Sequence, residues 1–242
     1  MFLSRLRAYL LIDPLIVLAT LVCGTLSLLA STFDRSGRTQ HALARAWGRI
    51  LLTVSGVRVR VEGLEKLQPG GCYVLVANHR SYMDTPVMLA YMPLEIRFFA
   101  KQGLFRIPLL GGHLRRAGHL PVVRGNPRAS LKSLSAGARL VRERGVSVVL
   151  FPEGGRSPAE LREFKEGAPY LAIKAGVPAV PIGIIGTRPV LPMHSFVVRP
   201  GQVTVRIGDP IATDGWKLDA RGELSQKLRR TIAELIGEPL QL

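Results

Sequence analysis

Residues 78–84 read Asn-His-Arg-Ser-Tyr-Met-Asp and place an imidazole and a carboxylate five residues apart, directly after a short apolar run. An imidazole with a pKa near neutrality can take the proton of an alcohol as the alcohol attacks an electrophile. A carboxylate on the other ring nitrogen fixes the tautomer and stabilises the imidazolium ion. His79 and Asp84 are therefore a candidate general-base dyad.

The same segment has a purely structural interpretation. Ser81 and Asp84 have the spacing of a capping box, in which Ser81 caps a helix and Asp84 hydrogen-bonds back from the first turn. His79 would then be an ordinary polar residue at the end of a strand. A histidine and an aspartate at this spacing are a weak signal alone, so the rest of the chain must decide.

A second segment with chemical potential follows another apolar run. Residues 151–157 read Phe-Pro-Glu-Gly-Gly-Arg-Ser, where proline ends the strand and two glycines permit close backbone approach. This turn holds Glu153 and Arg156 together, which an ordinary turn has little reason to do. Between the two segments, residues 97–144 contain eleven Lys or Arg and one acid. This excess of basic residues indicates a phosphate site.

The elements that position these residues alternate between strands and helices. Such alternation predicts an α/β fold, with a largely parallel mixed sheet flanked by helices. Ligands of such sheets collect at the carboxyl ends of strands, where both segments fall. The predicted strands are 57–61, 72–77, 96–100, 146–151, 179–185 and 203–208, and the predicted helices include 130–144, 168–175 and 224–236.

The N-terminal part of the chain has a different character. Residues 8–30 are almost wholly apolar, about the length needed to cross a bilayer, and lack a clear signal-peptide cleavage site. Residues 41–54 form an amphipathic pattern with Arg45 and Arg49 on its polar face, typical of an interfacial helix or of an ordinary core-facing one. Basic residues flank the apolar run on both sides, which favours a re-entrant or monotopic helix pair over a single span. We predict a membrane-associated helix pair at 1–56 and a globular domain at 57–242.

Charge and cysteine usage restrict the partners. Lys and Arg outnumber Asp and Glu by 33 to 17, which suggests nucleic acid, phosphate-bearing substrates or an anionic membrane surface. Few aromatic residues and the absence of a recognition motif argue against nucleic acid. The two cysteines form neither a metal-type cluster nor a disulfide framework, so a cytoplasmic setting is expected.

The motifs together resemble the glycerolipid acyltransferases, specifically the bacterial lysophosphatidic acid (1-acylglycerol-3-phosphate) acyltransferases. The family pattern N-H-x-S-x-x-D is matched at 78–84, and F-P-E-G-T-R-S is matched at 151–157 with Gly155 in place of threonine. Further similarity lies at 101–111, 118–124, 164–167 and 180–182. The resemblance extends over roughly residues 43–208.

The resemblance implies transfer of an acyl chain from acyl-CoA or acyl-carrier protein to the sn-2 hydroxyl of lysophosphatidic acid, giving phosphatidic acid. His79 would deprotonate the hydroxyl and Asp84 would orient His79, with no acyl-enzyme; the chain has no G-x-S-x-G nucleophile motif. No cofactor and no metal are implied, and 57–242 would be the acyltransferase domain. The expected location is the cytoplasmic face of the inner membrane, as a monotopic or single-span protein. The residues implied to bind substrate are Glu153, Gly154, Arg156, Lys101 and Arg124.

Other functions remain open at this point. A related acyltransferase could act on another lyso-lipid, such as lyso-ornithine lipid, or on glycerol-3-phosphate. A non-catalytic lipid-binding or nucleic-acid-binding protein is a more distant alternative, because neither explains the paired His79 and Asp84.

Overall fold

A computed structural model describes residues 6–123, 125–156, 160–195, 197–238 and 240 of the 242-residue chain. A π-helical turn at Ala8–Ile12 leads into the first α-helix, and single 3₁₀ turns lie at Leu64–Lys66, Gln102–Arg106 and Leu218–Ala220. The α-helices are α1 (Asp13–Ala30), α2 (Arg38–Val54), α3 (Asp84–Tyr91), α4 (Leu110–Arg116), α5 (Pro127–Arg144), α6 (Gly167–Ala175), α7 (Thr187–Val190) and α8 (Arg221–Ile236). The strands are β1 (Val57–Glu62), β2 (Val74–Ala77), β3 (Ile96–Lys101), β4 (Leu120–Val122), β5 (Ser147–Leu150), β6 (Ala179–Ile185) and β7 (Gly201–Ile207).

Within the described residues, seven strands form one sheet in the order β1-β7-β6-β2-β5-β3-β4. Neighbouring strands are parallel except β6 and β7, which are antiparallel. The predicted α/β class, with a largely parallel mixed sheet flanked by helices, is confirmed. Because β2 lies between β5 and β6 and runs parallel to both, the carboxyl ends of these three strands meet at one edge.

Helices cover both faces of the sheet, which explains why its central strands read as continuous apolar runs. Successive side chains of a strand point to opposite faces. Leu75 of β2 belongs to a core cluster with α2 and α3, whereas Val74 and Val76 belong to a second cluster with α5, α6 and α8. β2 is packed on both faces of the sheet, so the loop that follows it begins at a rigid part of the fold.

The N-terminal helices α1 and α2 form a hairpin on the face of the sheet to which Leu75 points. Trp47 Nε1 in α2 donates a hydrogen bond to Thr20 Oγ1 in α1 at 2.9 Å. Ala44 and Leu52 of α2 are buried in the core, so α2 is core-facing along that side. The segment Ala8–Ala30, with a mean hydropathy of 2.0, is long and apolar enough to cross a membrane by length and composition.

Some elements differ from the sequence prediction. Neither β4 nor α4 was predicted, because β4 has three residues with a central proline and α4 lies among glycines. Helix α5 begins three residues earlier than predicted, since the Asn126 side chain accepts a hydrogen bond from Ala129 N–H at 3.0 Å and Pro127 suits a first turn. The helix ends at Gly145, which has a φ of +61° that favours glycine.

Candidate active site

His79 lies in the loop that leaves the carboxyl end of β2, and its side chain contacts Asp84. The His79 Nδ1 and Asp84 Oδ2 atoms are 2.7 Å apart, and the two side chains are 10% and 0% exposed. A carboxylate acceptor at this distance places the proton of the neutral imidazole on Nδ1. The unprotonated Nε2 is then the ring nitrogen that can act as a base.

The carboxylate of Asp84 also holds the backbone of the loop. Its Oδ2 atom accepts hydrogen bonds from the backbone N–H groups of Arg80 at 2.7 Å and Ser81 at 2.9 Å. The predicted cap is therefore realised in part: Asp84 reaches back to Ser81 N–H, but α3 begins at Asp84 rather than at Ser81. Ser81 Oγ instead donates to the Leu191 carbonyl at 2.8 Å and accepts from Met83 N–H at 3.2 Å. The helix cap and the dyad therefore depend on the same atom, because Asp84 Oδ2 accepts the loop N–H groups and also contacts His79 Nδ1.

Glu153 lies in the turn after β5 and joins that turn to the dyad loop. Its Oε1 accepts the backbone N–H of His79 at 2.7 Å, and its Oε2 accepts the backbone N–H of Arg162 at 3.2 Å. The pKa of Glu153 is raised above its usual value, because burial raises it more than these two N–H donors lower it. Both carboxylate oxygens of Glu153 therefore hold backbone N–H groups in place, and Oε1 holds that of His79, the candidate base.

The ring of Phe151, also in this turn, stacks on the imidazole. The ring centroids of His79 and Phe151 are 4.0 Å apart and the planes differ by 15°. With the ring packed on one side and Asp84 bonded to Nδ1, rotation of the imidazole is restricted. The sequence placed Phe151 at the end of a strand and in the motif at 151–157, but did not predict this contact.

Arg156 at the end of the same turn reaches over the dyad loop. Its guanidinium carbon lies 3.5 Å from the ring centroid of Tyr82, between His79 and Asp84 in sequence. An arginine guanidinium commonly stacks on an aromatic ring and also binds phosphate or carboxylate through two parallel hydrogen bonds. Gly154 has a φ of +73°, and a Cβ there would lie 2.9 Å from Lys165 Nζ. Lys165 is a further cation near this turn, and the sequence placed it in the similar segment at 164–167 without giving it a role.

The remaining predicted phosphate contacts lie farther along the sheet edge or cannot be placed. Lys101 is the exposed last residue of β3, two strands from β2. Arg124 lies outside the described residues. The structure therefore brings His79, Asp84, Glu153 and Arg156 together.

Asn78, which precedes the candidate base, was matched in the motif but given no role. Its Nδ2 donates to the Ile184 carbonyl at 2.9 Å, and its Oδ1 accepts Ile184 N–H at 2.7 Å. These two hydrogen bonds tie the end of β2 to β6. An asparagine directly after a buried strand is a signal for such a link, because its amide can donate and accept at once.

Two further histidines, His113 and His119, are hydrogen-bonded to other parts of the protein. His113 Nδ1 is 2.7 Å from Ser27 Oγ in α1, and His119 Nδ1 accepts the backbone N–H of Phe98 at 2.9 Å. Both side chains are half-buried and hydrogen-bonded within the protein. Their residue type suggested chemistry that their surroundings do not support.

Fold and site together define the class of protein. The chain matches the model of the Acyltransferase family over residues 58–185, and it belongs to that family. The crystal structure of the 1-acyl-sn-glycerophosphate (LPA) acyltransferase PlsC from Thermotoga maritima has a TM-score of 0.79 and 27% sequence identity to this chain. The match covers 96% of this chain and 97% of that one. The family predicted from the motifs is confirmed.

Relatives by sequence carry a more specific description. A 1-acyl-sn-glycerol-3-phosphate acyltransferase from Limnanthes douglasii is 32% identical over 173 residues, which cover 71% of this chain. The match spans only 61% of the length of that relative. A 1-acyl-sn-glycerol-3-phosphate acyltransferase from Pseudomonas aeruginosa is 27% identical over 227 residues, covering 91% of this chain and 87% of the relative.

Proposed function

We propose that the protein transfers an acyl chain from a thioester donor to the sn-2 hydroxyl of lysophosphatidic acid, forming phosphatidic acid. The observation that carries the proposal is the 2.7 Å contact between His79 Nδ1 and Asp84 Oδ2 at the carboxyl end of the central strand. The acyltransferase family and the named activity of the relatives support this reaction. The donor is acyl-CoA or acyl-carrier protein, since both present an acyl thioester.

The reaction proceeds by direct attack. The acceptor hydroxyl approaches His79 Nε2 and gives up its proton as its oxygen attacks the thioester carbonyl carbon. Asp84 stabilises the imidazolium ion that forms. The tetrahedral intermediate then expels the sulfur of the donor, which takes the proton from Nε2. The products are an ester, a free thiol and a neutral His79.

The acceptor phosphate binds beside the turn that follows β5. Arg156 is the principal contact, because a planar guanidinium can hold two phosphate oxygens at once. Lys101, at the end of β3, adds positive charge at the same edge of the sheet, and Arg124 is a further phosphate contact that the family motifs imply. Glu153 and Gly154 shape the turn that presents Arg156 to the acceptor.

The protein acts on the membrane surface, with α1 lying along the bilayer rather than across it. Both ends of α1 contact the globular body: Ile12 just before it is 1% exposed in the core, and Ser27 near its end bonds His113. A helix that crossed a hydrocarbon layer of about 30 Å would carry one end away from that body. Its outer side exposes Leu18 at 56% and Leu29 at 58%, as expected for contact with acyl chains. A location on the cytoplasmic face of the inner membrane would give both lipid and soluble thioester access to His79.

The activity test uses purified full-length protein with a panel of acceptors and both thioester donors, with release of free thiol as the signal. The panel contains lysophosphatidic acid, lyso-ornithine lipid and glycerol-3-phosphate. We expect the highest kcat/KM with lysophosphatidic acid and formation of phosphatidic acid. A higher kcat/KM for either of the other acceptors would replace the proposed substrate.

The membrane arrangement is tested by cysteine labelling in a protein whose Cys23 and Cys72 are replaced by serine. Single cysteines at Ser4→Cys and Ser36→Cys lie before and after the apolar segment. We expect both to react with a membrane-impermeant reagent only from the cytoplasmic side. Labelling of Ser4→Cys from the periplasmic side would establish a true span.

A further inference from the structure

A small cavity lies beside the dyad, at the edge of the sheet where β2 meets β6. Its volume is about 120 Å³. A single water needs only about 10–15 Å³ measured in this way, so the cavity can take a group of several atoms. The polar side chains that line it are Asn78, Arg80, Thr187, Arg188 and Glu238.

Two of these side chains carry buried polar atoms that have no hydrogen-bond partner among the described residues. Thr187 is 0% exposed and its Oγ1 is unpaired, and the Arg80 side chain is 9% exposed with an unpaired Nε. Buried polar atoms are nearly always paired in folded proteins. Asn78 meets that rule, since its amide bonds Ile184. The unpaired Arg80 N–H and Thr187 hydroxyl therefore point to a ligand that accepts hydrogen bonds.

The charge of the cavity identifies the kind of acceptor. Two arginines, Arg80 and Arg188, line the cavity, and Arg80 Nη2 donates to the carboxylate of Glu238. An oxyanion thus already binds Arg80. Guanidinium groups hold phosphate and carboxylate oxygens with the same geometry.

Glu238 is attached in a way that lets its carboxylate leave without unfolding. Its backbone N–H bonds the Ala233 carbonyl at 2.9 Å, directly after Gly237, whose φ of +71° ends α8. The side chain of Glu238 is 46% exposed. The backbone is therefore fixed by the helix end, while the carboxylate can rotate into water.

We propose that this cavity is a phosphate-binding subsite, in which Arg80, Thr187 and Arg188 hold a substrate phosphate that displaces the Glu238 carboxylate. The assignment to a substrate rests on the proposed acyl transfer, which brings two phosphate-bearing molecules to His79. The acceptor carries a phosphate monoester, and both thioester donors carry a phosphate on the pantetheine arm. Arg156 on the β5 side and the cavity on the β6 side flank the candidate base.

Binding is tested first without turnover, using inorganic phosphate and thermal unfolding of the full-length protein. All variants carry Arg156→Ala, which removes the phosphate contact on the β5 side. A ligand that binds the folded state raises the melting temperature with its concentration, which gives a dissociation constant. Loss of a charge-assisted contact in Arg80→Gln or Arg188→Gln should weaken phosphate binding by roughly 10-fold or more.

Glu238→Gln should have the opposite effect and strengthen phosphate binding several-fold, because it removes the competing carboxylate. A purely structural contact would not improve binding when lost. Arg188 is exposed, so Arg188→Gln keeps the test valid if Arg80→Gln does not fold. The matched controls are Arg60→Gln, whose side chain is 79% exposed on β1, and Glu234→Gln, exposed on α8. Equal phosphate affinity in Arg188→Gln, Glu238→Gln and the controls would overturn the subsite, whether or not lysophosphatidic acid proves to be the acceptor.

Steady-state kinetics of the same variants, all of which carry Arg156→Ala, then identify which substrate places its phosphate in the subsite. A raised KM for lysophosphatidic acid in Arg188→Gln would assign the subsite to the acceptor, and a raised KM for the thioester would assign it to the donor. The Michaelis constant of the same substrate should fall in Glu238→Gln. Unchanged Michaelis constants for both substrates, alongside altered phosphate affinity, would overturn the assignment to a substrate.

Discussion

Four of the five histidines of the protein lie in two different settings. At the carboxyl end of β2, His79 bonds the Asp84 carboxylate and stacks on Phe151. Under the N-terminal hairpin, three histidines bond neutral groups instead. We call these three the histidine cluster: His41, His113 and His119.

The cluster lies next to a buried cation rather than a carboxylate partner. Burial, followed by the nearby Arg97 guanidinium, lowers the pKa of His41 to about 4. Burial and Arg97 also lower the pKa of His113, and burial, His113 and Arg97 lower that of His119. His41 Nε2 lies 3.2 Å from the Leu94 carbonyl, a bond that a neutral imidazole can donate.

The difference shows that the hydrogen-bond partner of a histidine, together with its burial, decides which protonation state its surroundings favour. An imidazole that bonds a carboxylate can carry a proton during a reaction, because the ion pair stabilises the charged form. An imidazole beside Arg97 and away from water stays neutral and serves packing and hydrogen bonding. The following changes test this contrast.

Removing the proposed base, His79, should lower kcat more than any other change. His79→Ala should lower kcat by roughly 10²–10⁴-fold because no group takes the acceptor proton. The matched control is His113→Gln in the histidine cluster, which should keep kcat within a few-fold. Thiol release and thermal unfolding are measured for both. A His79→Ala enzyme within two-fold of the parent would remove His79 as the base.

Asp84→Asn should lower kcat by roughly 10²-fold or more, because an amide cannot stabilise the imidazolium ion as a carboxylate does. It should also destabilise the start of α3 by about 1 kcal/mol, since Oδ2 holds the N–H groups of Arg80 and Ser81. Rate and unfolding are therefore measured together. A loss of stability with an unchanged kcat would reduce Asp84 to a helix cap.

Arg156→Ala should raise the KM for lysophosphatidic acid by roughly 10-fold or more, and that for the thioester much less, because a charge-assisted phosphate contact is lost. Arg156→Lys keeps the charge but loses the two-point contact, so it should be intermediate. A KM for lysophosphatidic acid that does not change in either variant would move the phosphate away from this turn.

Glu153→Gln tests whether Glu153 positions His79 or binds the substrate. Its carboxylate accepts the N–H groups of His79 and Arg162, and an amide can keep only one of these bonds through its oxygen. We expect kcat to fall by about 10-fold with little change in the KM for lysophosphatidic acid, since one positioning hydrogen bond is lost. A rise in that KM alone would instead make Glu153 a substrate contact.

The smallest effect concerns pH and stability in the histidine cluster. Because the pKa of His41 is lowered to about 4 in the folded protein, the unfolded chain takes up a proton first as the pH falls below about 6.5. The free energy of unfolding should therefore drop between pH 6.5 and 4, and remain unaffected by His41 above that range. His41→Gln should reduce the drop by roughly 1–3 kcal/mol, measured by chemical denaturation. Equal pH profiles for the two proteins would show that His41 does not titrate in this way.

The sequence predicted those parts of the fold and site that depend on local pattern. β6 was predicted with its observed bounds because it is a continuous apolar run buried on both faces. β4 was missed, since three half-buried residues around Pro121 carry no such pattern. The dyad was found because His79 and Asp84 lie within one short motif.

Contacts between distant parts of the chain could not be predicted in this way. The bond from His79 N–H to Glu153 joins residues 74 apart, and the pair of Arg80 and Glu238 joins residues 158 apart. The first depends on β2 and β5 being neighbours in the sheet, and the second on the end of α8 lying near the end of β2; a sequence pattern fixes neither. The lowered pKa of His119 likewise results from its burial in the fold, and then from His113 and Arg97 beside it.

In the proposed reaction, His79 drives direct transfer to the acceptor, without an acyl-enzyme. Rapid mixing of excess enzyme with the thioester donor, with and without lysophosphatidic acid, measures thiol release in a single turnover. We predict thiol release with the acceptor, in step with phosphatidic acid, and none in its absence. His79→Ala should slow the release by roughly 10²–10⁴-fold. A burst of thiol without acceptor, equal to the donor added and retained in His79→Ala, would contradict the account.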